Sequence, residues 1–171
     1  MHLIEQLRED VRANRGQLKG AVIVVAYRLA HAARGPVERR PRLWAYPIGI
    51  VYRVVIEWIL GVEIPWGTPV GRRLRVFHGI GIVINDRSIL GDDVTLRQNI
   101  TIGNKRDGGG CPRIGDGVQI GAGSIVIGEI VIGDGARVGA GSVVTKSVLA
   151  GETVVGNPAR PVTERTGPVR P

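Results

Sequence analysis

The sequence predicts a mainly β fold, a triangular parallel β-helix wound from hexapeptide repeats and preceded by a small α-helical segment. Three observations carry that expectation. An Ile or Val opens every block of six from Ile114 onward, at Ile114, Ile120, Val126, Ile132, Val138 and Val144, usually followed by Gly. A small or aliphatic residue recurs four places later, at Val118, Ser124, Ile130, Ala136, Ser142 and Val148. The same phase lands upstream on Ile84, Leu90, Leu96 and Ile102. A strict period of six fits neither the 3.6 of an amphipathic helix nor a hairpin sheet punctuated every eight to twelve residues. It suits a coil in which each hexad makes one flat side and one corner, the aliphatic points inward, and each turn hydrogen-bonds to the turns above and below.

The elements follow in order. Residues 3–12 and 18–33 have the apolar spacing of helices, 34–42 (RGPVERRPR) is a Pro- and Arg-rich linker, and 44–60 reads as a third helix with Pro47 near its start. Residues 1–62 are thus expected to form the N-terminal helical segment. The β-helix is expected over 63–149, with an extruded loop at 104–113 (NKRDGGGCPR), which contains no aliphatic residue. Residues 84–149 supply three to four coils and 63–83 one more. From Ala150 the chain leaves the repeat, and residues 150–171, with Pro158, Pro161, Pro168 and Pro171, are expected to form a cap and then a mobile tail. The helices and the cap would cover the two open ends that a solenoid leaves.

Composition narrows the function. Of 171 residues, 43% are hydrophobic but only 4% aromatic, which suits a thin prism filled by Ile, Val and Leu. The single cysteine, Cys111, excludes an internal disulfide framework, and no Cys/His pairing has structural-zinc spacing, so no metal is expected. Glu5, Glu9 and Asp10 interrupt the first residues where a secretory signal needs an apolar stretch, and a cytoplasmic, reducing setting is expected. The apolar stretches 21–33 and 44–62 are broken by charges and fall short of the ~20 clean residues of a spanning helix. Trp44, Tyr46, Tyr52 and Trp58 are expected to pack against another helix, with peripheral membrane contact as the open alternative. The formal charge of +8 suits an anionic partner; without a nucleic-acid module or an aromatic stacking platform, no nucleic acid is expected, and cofactor phosphates are the economical explanation.

Few residues could carry chemistry. Of the three histidines, His2 lies at the terminus, His31 on a predicted helix, and His78 at a repeat-phase position in VFHGIGIVIND where an aliphatic is expected. An imidazole is the simplest base near neutral pH, which makes His78 the candidate; a purely structural corner histidine accounts equally for its spacing. A carboxylate could fix its tautomer. Glu63, fifteen residues upstream and nearly one coil away, and Asp86 are both candidates.

HGIGIVIN, TIGN, the Gly-rich loop ending in CPRIG, VGAGSVVTKSV and VVGNPARPV together resemble the serine acetyltransferase family of left-handed parallel β-helix enzymes. With LREDVRANRG and AYRLAH, the chain is similar above all to the short colanic-acid-type polysaccharide O-acetyltransferases. The resemblance covers residues 7–162. It implies an acetyl-CoA donor, His78 as the base that deprotonates an acceptor hydroxyl, and Glu63, an Asp in the serine enzymes, as its orienting carboxylate. It places cofactor contacts on Ala122 and Ala140 in the two GAGS turns and on Lys146 and Arg160, and it implies a homotrimer in which His78 of one chain faces the Cys111 loop of another.

The departures bear on the acceptor. The serine enzymes have an Asp before the catalytic histidine, where this chain has Phe77, and an Arg-His pair in the loop, where it has Gly110 and Cys111. Losing both partners of a zwitterion forfeits charge-assisted bonds of ~1.5–3 kcal/mol each. A sugar hydroxyl is therefore the expected acceptor, with Phe77, Asp86 and Cys111 as candidate substrate contacts. A serine O-acetyltransferase of cysteine biosynthesis and a noncatalytic hexapeptide scaffold are the alternatives. The chain ends GPVRP rather than in the aliphatic residue such a serine enzyme uses to dock its partner lyase.

Overall fold

The computed structural model describes residues 3–36 and 39–162. Its first elements are helices α1 (Leu3–Ala13) and α2 (Leu18–Arg34) and, after a single 3₁₀ turn at Leu43–Ala45, α3 (Tyr46–Tyr52). The strands follow in chain order: β1 (Val62–Glu63), β2 (Arg75–Val76), β3 (Ile82–Ile84), β4 (Ile89–Leu90), β5 (Thr95–Leu96), β6 (Thr101–Gly103) and β7 (Arg113–Ile114). Then come β8 (Gln119–Ile120), β9 (Ile125–Ile127), β10 (Val131–Ile132), β11 (Arg137–Val138), β12 (Val143–Val144), β13 (Thr153–Val155) and β14 (Arg160–Pro161). They build three faces of a parallel prism: β1-β3-β6-β9-β12, then β4-β7-β10, then β2-β5-β8-β11-β13, with β14 antiparallel at the end of the last.

All ten phase residues from Ile84 to Val144 point inward and are at most 3% exposed, and the residues four places on are buried with them except Arg106, which lies in the loop. Each such aliphatic side chain removed from water stabilises the fold by ~1.5–3 kcal/mol. Corners repeat as faithfully as sides. Arg73, Asp93, Gly117, Gly135 and Gly151 all take positive φ at one corner, each N–H from Asp93 on reaching the turn before it. Asp92, Asp116 and Asp134 stack beside them, and each accepts the backbone N–H of the corner residue one turn earlier at 2.7–2.9 Å. That ladder explains the Gly-Asp pairs of the repeat.

The register departs from six at three places. The loop replaces one hexad step with twelve residues, Ile102 to Ile114, and Arg113 already belongs to β7. Val144 to Val148 spans four, and because Val154 still aligns with Val138, the coil continues past Ala150 through β13. Val76 aligns with Leu96 and Ile84 with Ile102, so one corner spans eight positions where the next turn uses six. Counting back by sixes from Ile84 therefore put His78 at an inward phase; Val76 fills that place, and His78 falls on the two-residue excess.

The helices close the open first turn by a specific device. Backbone groups of that turn have no coil beneath them, and side chains supply the missing partners. Asn14 donates to Leu74 O and accepts from Val76 N; Arg28 donates to Val70 O and Gly71 O; Tyr27 donates to Thr68 O; His31 bonds Trp66 O; Tyr52 donates to Ile64 O. Arg28 is held by the buried Asp10 at 2.8 Å. Arg28 and His31, which break the apolar pattern of α2 in the sequence, are its capping groups.

The third helix differs from the regular α-helix expected over 44–60. After α3 it widens into π turns over Arg53–Ile59, where Leu60 N–H donates to Val55 O five residues back. The β-branched run Val54–Val55–Ile56 crowds a regular turn, and the wider one gives it room while Tyr52 and Ile56 stay buried. Of the four aromatics, Tyr52 alone packs inward; Trp44, Tyr46 and Trp58 are exposed, contrary to the helix packing expected for them. Among the described residues no helix is long and apolar enough to cross a membrane. The tail beyond Val162, with Pro168 and Pro171, lies outside the described residues, as does His2.

Candidate active site

The widened corner between β2 and β3 projects from the prism. His78 sits on it, exposed, with φ +64°, a left-handed conformation uncommon for any residue with a Cβ and tolerated by His better than by most. Neighbours fix the corner: Phe77 N–H donates to Leu96 O, and Gly81 N–H to Gly61 O. At Gly79, with φ +27°, a Cβ would come within 2.4 Å of Ile23 Cδ1 on α2, so both the backbone conformation and the passage between helix and prism favour Gly there. Such strain is a device for aiming a side chain, and here it aims an imidazole outward.

The same edge carries two further candidates. Asn99 N–H donates to Ile80 O, Gly123 N–H to Gln98 O and Gly141 N–H to Ala122 O, so the corner at Ile80, Gln98, Ala122 and Ala140 form one column. Three rungs separate its ends, about 14 Å at the ordinary spacing of paired strands. The column is narrow because a Cβ on Gly121 would fall 2.5 Å from Ala140 N. Lys146 and Arg160 come together elsewhere, at the C-terminal end, lining a cleft of about 190 Å³ with Ser147 and Glu152.

Glu63 lies on the turn beneath, in register with Val83. Neither its carboxylate nor the His78 ring makes a hydrogen bond or ion pair among the described residues, so the pairing inferred from the fifteen-residue spacing is not formed within this chain. Burial and the proximity of Glu63 raise the carboxyl pKa of Glu57, while its ion pair with Arg53 opposes that shift.

Cys111 stands on a different edge, between the first and second faces, with its thiol 3.2 Å from Asn85 Oδ1. Arg87 ties the loop down through Gly109 O at 2.8 Å, and Gly110 packs so closely on Glu129 that a Cβ would meet it at 2.6 Å. Asp86 is exposed on this second edge, away from His78. One chain therefore brings His78, Ala122 and Ala140 together and keeps Cys111 and Asp86 apart from them. Phe77 is half-buried, and Arg97 covers its ring at 5.1 Å from the centroid, so the face expected to be open to a sugar is in part taken. Sequence reasoning missed Arg97 and also Gln98, whose side-chain oxygen is buried on the His78 edge without a partner. Both sit outside the inward phase, which left no periodic signal to find them.

The arrangement offers an outward imidazole beside a shallow edge of small residues, with Lys146 and Arg160 in a separate cleft at the C-terminal end of the prism. Residues 111–146 match the family described as bacterial transferase hexapeptide (six repeats). A protein of Escherichia coli (strain K12) named as a colanic acid biosynthesis acetyltransferase, WcaB, is 43% identical over 129 residues, 72% of this chain and 78% of that protein. The serine acetyltransferase of Helicobacter pylori (strain ATCC 700392 / 26695) is 37% identical over 147 residues, covering 85% and 82%. The soybean serine acetyltransferase apoenzyme superposes with a TM-score of 0.80 at 34% identity, covering 94% of this chain and 69% of that one.

Proposed function

This chain belongs to the hexapeptide-repeat O-acetyltransferases, the family of the serine acetyltransferases and the colanic-acid-type enzymes, and we propose that within it the chain acetylates a sugar hydroxyl of a surface polysaccharide or its precursor. The donor is acetyl-CoA. His78 accepts the proton of the acceptor hydroxyl as its oxygen attacks the thioester carbonyl, backbone N–H groups stabilise the tetrahedral oxyanion, and collapse expels the CoA thiolate, which takes the proton back from the imidazolium. No covalent acyl-enzyme is needed. Glu63 orients the ring once the site is assembled.

The observation that carries this reading is the protruding corner itself: a histidine held in a strained conformation on the one edge where Ala122 and Ala140 leave room for a pantetheine arm. Lys146 and Arg160 meet the CoA phosphates from their cleft.

Assembly completes the site. The first face, bounded by the His78 edge on one side and the Cys111 edge on the other, turns Glu63, Val83, Thr101, Ile125 and Val143 outward, whereas the third turns out Arg75, Gln119, Arg137 and Thr153. Threefold packing through the more apolar face sets His78 of one chain against the loop of the next, bringing Cys111 and Asp86 to the acceptor. A cytoplasmic setting suits the acetyl-CoA donor and a free thiol.

The test is CoA release from acetyl-CoA with a panel of nucleotide sugars, oligosaccharides and L-serine. Sugars should turn over and serine should not, because Phe77, Gly110 and Cys111 offer its ammonium and carboxylate no charge. Serine turnover at millimolar concentration refutes the acceptor assignment. His78→Ala should lower the rate ~10²–10⁴-fold with the oligomer intact; an unchanged rate removes the histidine from the mechanism.

A further inference from the structure

The third helical stretch is apolar on both sides. Ala45, Tyr52 and Ile56 face the core and Gly49 lies against the Trp66 ring, while Leu43, Trp44, Ile50, Val51, Trp58 and Ile59 face out, Leu43 at 87% and Trp58 at 75% exposure. Its charges are Arg53 and Glu57, paired with each other. A helix apolar all round belongs inside something. This one lies on the surface of the chain.

What covers it is set by its neighbours. Arg34, Arg39, Arg40 and Arg42 line a cleft that Trp44 closes, so the apolar face is bordered by a cluster of cations. Beside it a second cavity of about 510 Å³ opens among Tyr46, Ile50, Val54, Trp58 and Trp66. Self-association through this patch would bring two arginine clusters together, which like-charge repulsion opposes. An anionic bilayer meets every feature: aromatic rings for the headgroup level, apolar side chains for the acyl boundary, guanidinium groups for lipid phosphates, and a cavity able to take the end of a chain.

We propose that the outward face of Leu43–Ile59, bordered by Arg34, Arg39, Arg40 and Arg42, seats this protein peripherally on an anionic lipid bilayer. The helix runs directly into β1 and Glu63, so seating it holds the lower end of the prism at the lipid surface. An acceptor carried on a lipid would then be presented near the site; the docking itself does not depend on the acceptor.

Co-sedimentation of the full chain with phosphatidylcholine vesicles, with and without phosphatidylglycerol, tests the proposal. Binding should require the anionic lipid, weaken as salt is raised, and shift the tryptophan emission to the blue. Arg39→Glu with Arg40→Glu should cut it roughly tenfold or more, and Trp58→Glu should do likewise with the circular dichroism unchanged. No sedimentation of the wild type, or equal binding to both vesicle types, overturns the proposal. So does an assembly in solution whose mass falls on Trp58→Glu, because a second copy then covers the face. Transfer to a soluble acceptor without vesicles is expected to survive in Trp58→Glu, which separates this docking from the acetyl-transfer reading.

Discussion

Arg28→Met should unfasten the cap of the first turn. In the native chain Arg28 is 3% exposed and Asp10 fully buried, and the guanidinium serves three acceptors at once: Asp10 Oδ2, Val70 O and Gly71 O. The substitution keeps most of the volume and removes the donors. It strands a buried carboxylate whose other oxygen, Oδ1, already lacks a partner. Removing one member of a buried pair costs ~3–5 kcal/mol, and each orphaned carbonyl adds ~1–3 kcal/mol before relaxation and water entry reduce the sum. A loss of about 4 kcal/mol is expected, a large part of the ~5–15 kcal/mol available to a domain. The measurement is urea unfolding by circular dichroism at fixed protein concentration, since assembly contributes to apparent stability. The double variant Asp10→Leu/Arg28→Met, which removes both charges, should recover part of the loss. A single-variant loss below about 1 kcal/mol would refute the idea that these side chains stand in for a missing coil.

Gly20→Ala should destabilise by ~1–3 kcal/mol, although helix propensity alone favours Ala by ~0.5–1 kcal/mol, because the new methyl would stand 2.1 Å from Val76 O, a backbone atom that cannot yield; thermal unfolding gives the sign. Ala140→Leu should raise KM for acetyl-CoA roughly tenfold with kcat little changed, the pattern of lost uniform binding, and an unaltered KM would remove that edge from the donor site. Asp93→Asn should destabilise at neutral pH and have less effect in acid. The Arg73 guanidinium holds the Asp93 carboxyl below its usual range, and the Arg72 N–H does the same for Asp92. A depressed folded pKa means stability that is present above the unfolded value of about 4 and is lost as pH falls through the folded one. Denaturation at pH 7 and pH 3 should therefore show the gap between variant and wild type closing on the acid side.

The amino-acid sequence by itself determined the prism, its inward residues and the excursion of the loop, because each hexad repeats a local demand: one aliphatic inside and one residue that tolerates the corner. Ten aligned positions left no other period to fit. The family motifs, read from the same letters, named His78 and the GAGS turns. Only the tertiary structure decided what lies off the period. Whether eight residues or six make a corner depends on which turn lies above it, so His78 moved from an inward phase to a projecting bend when Val76 paired with Leu96. The same holds for Arg28, Asn14 and Tyr27, whose acceptors lie some forty to sixty residues away and exist only because one end of a solenoid has no neighbour. Periodicity is a contact between adjacent turns and is written locally. Caps, edges and exposed faces arise where that repetition stops, and their partners are fixed by distance in space.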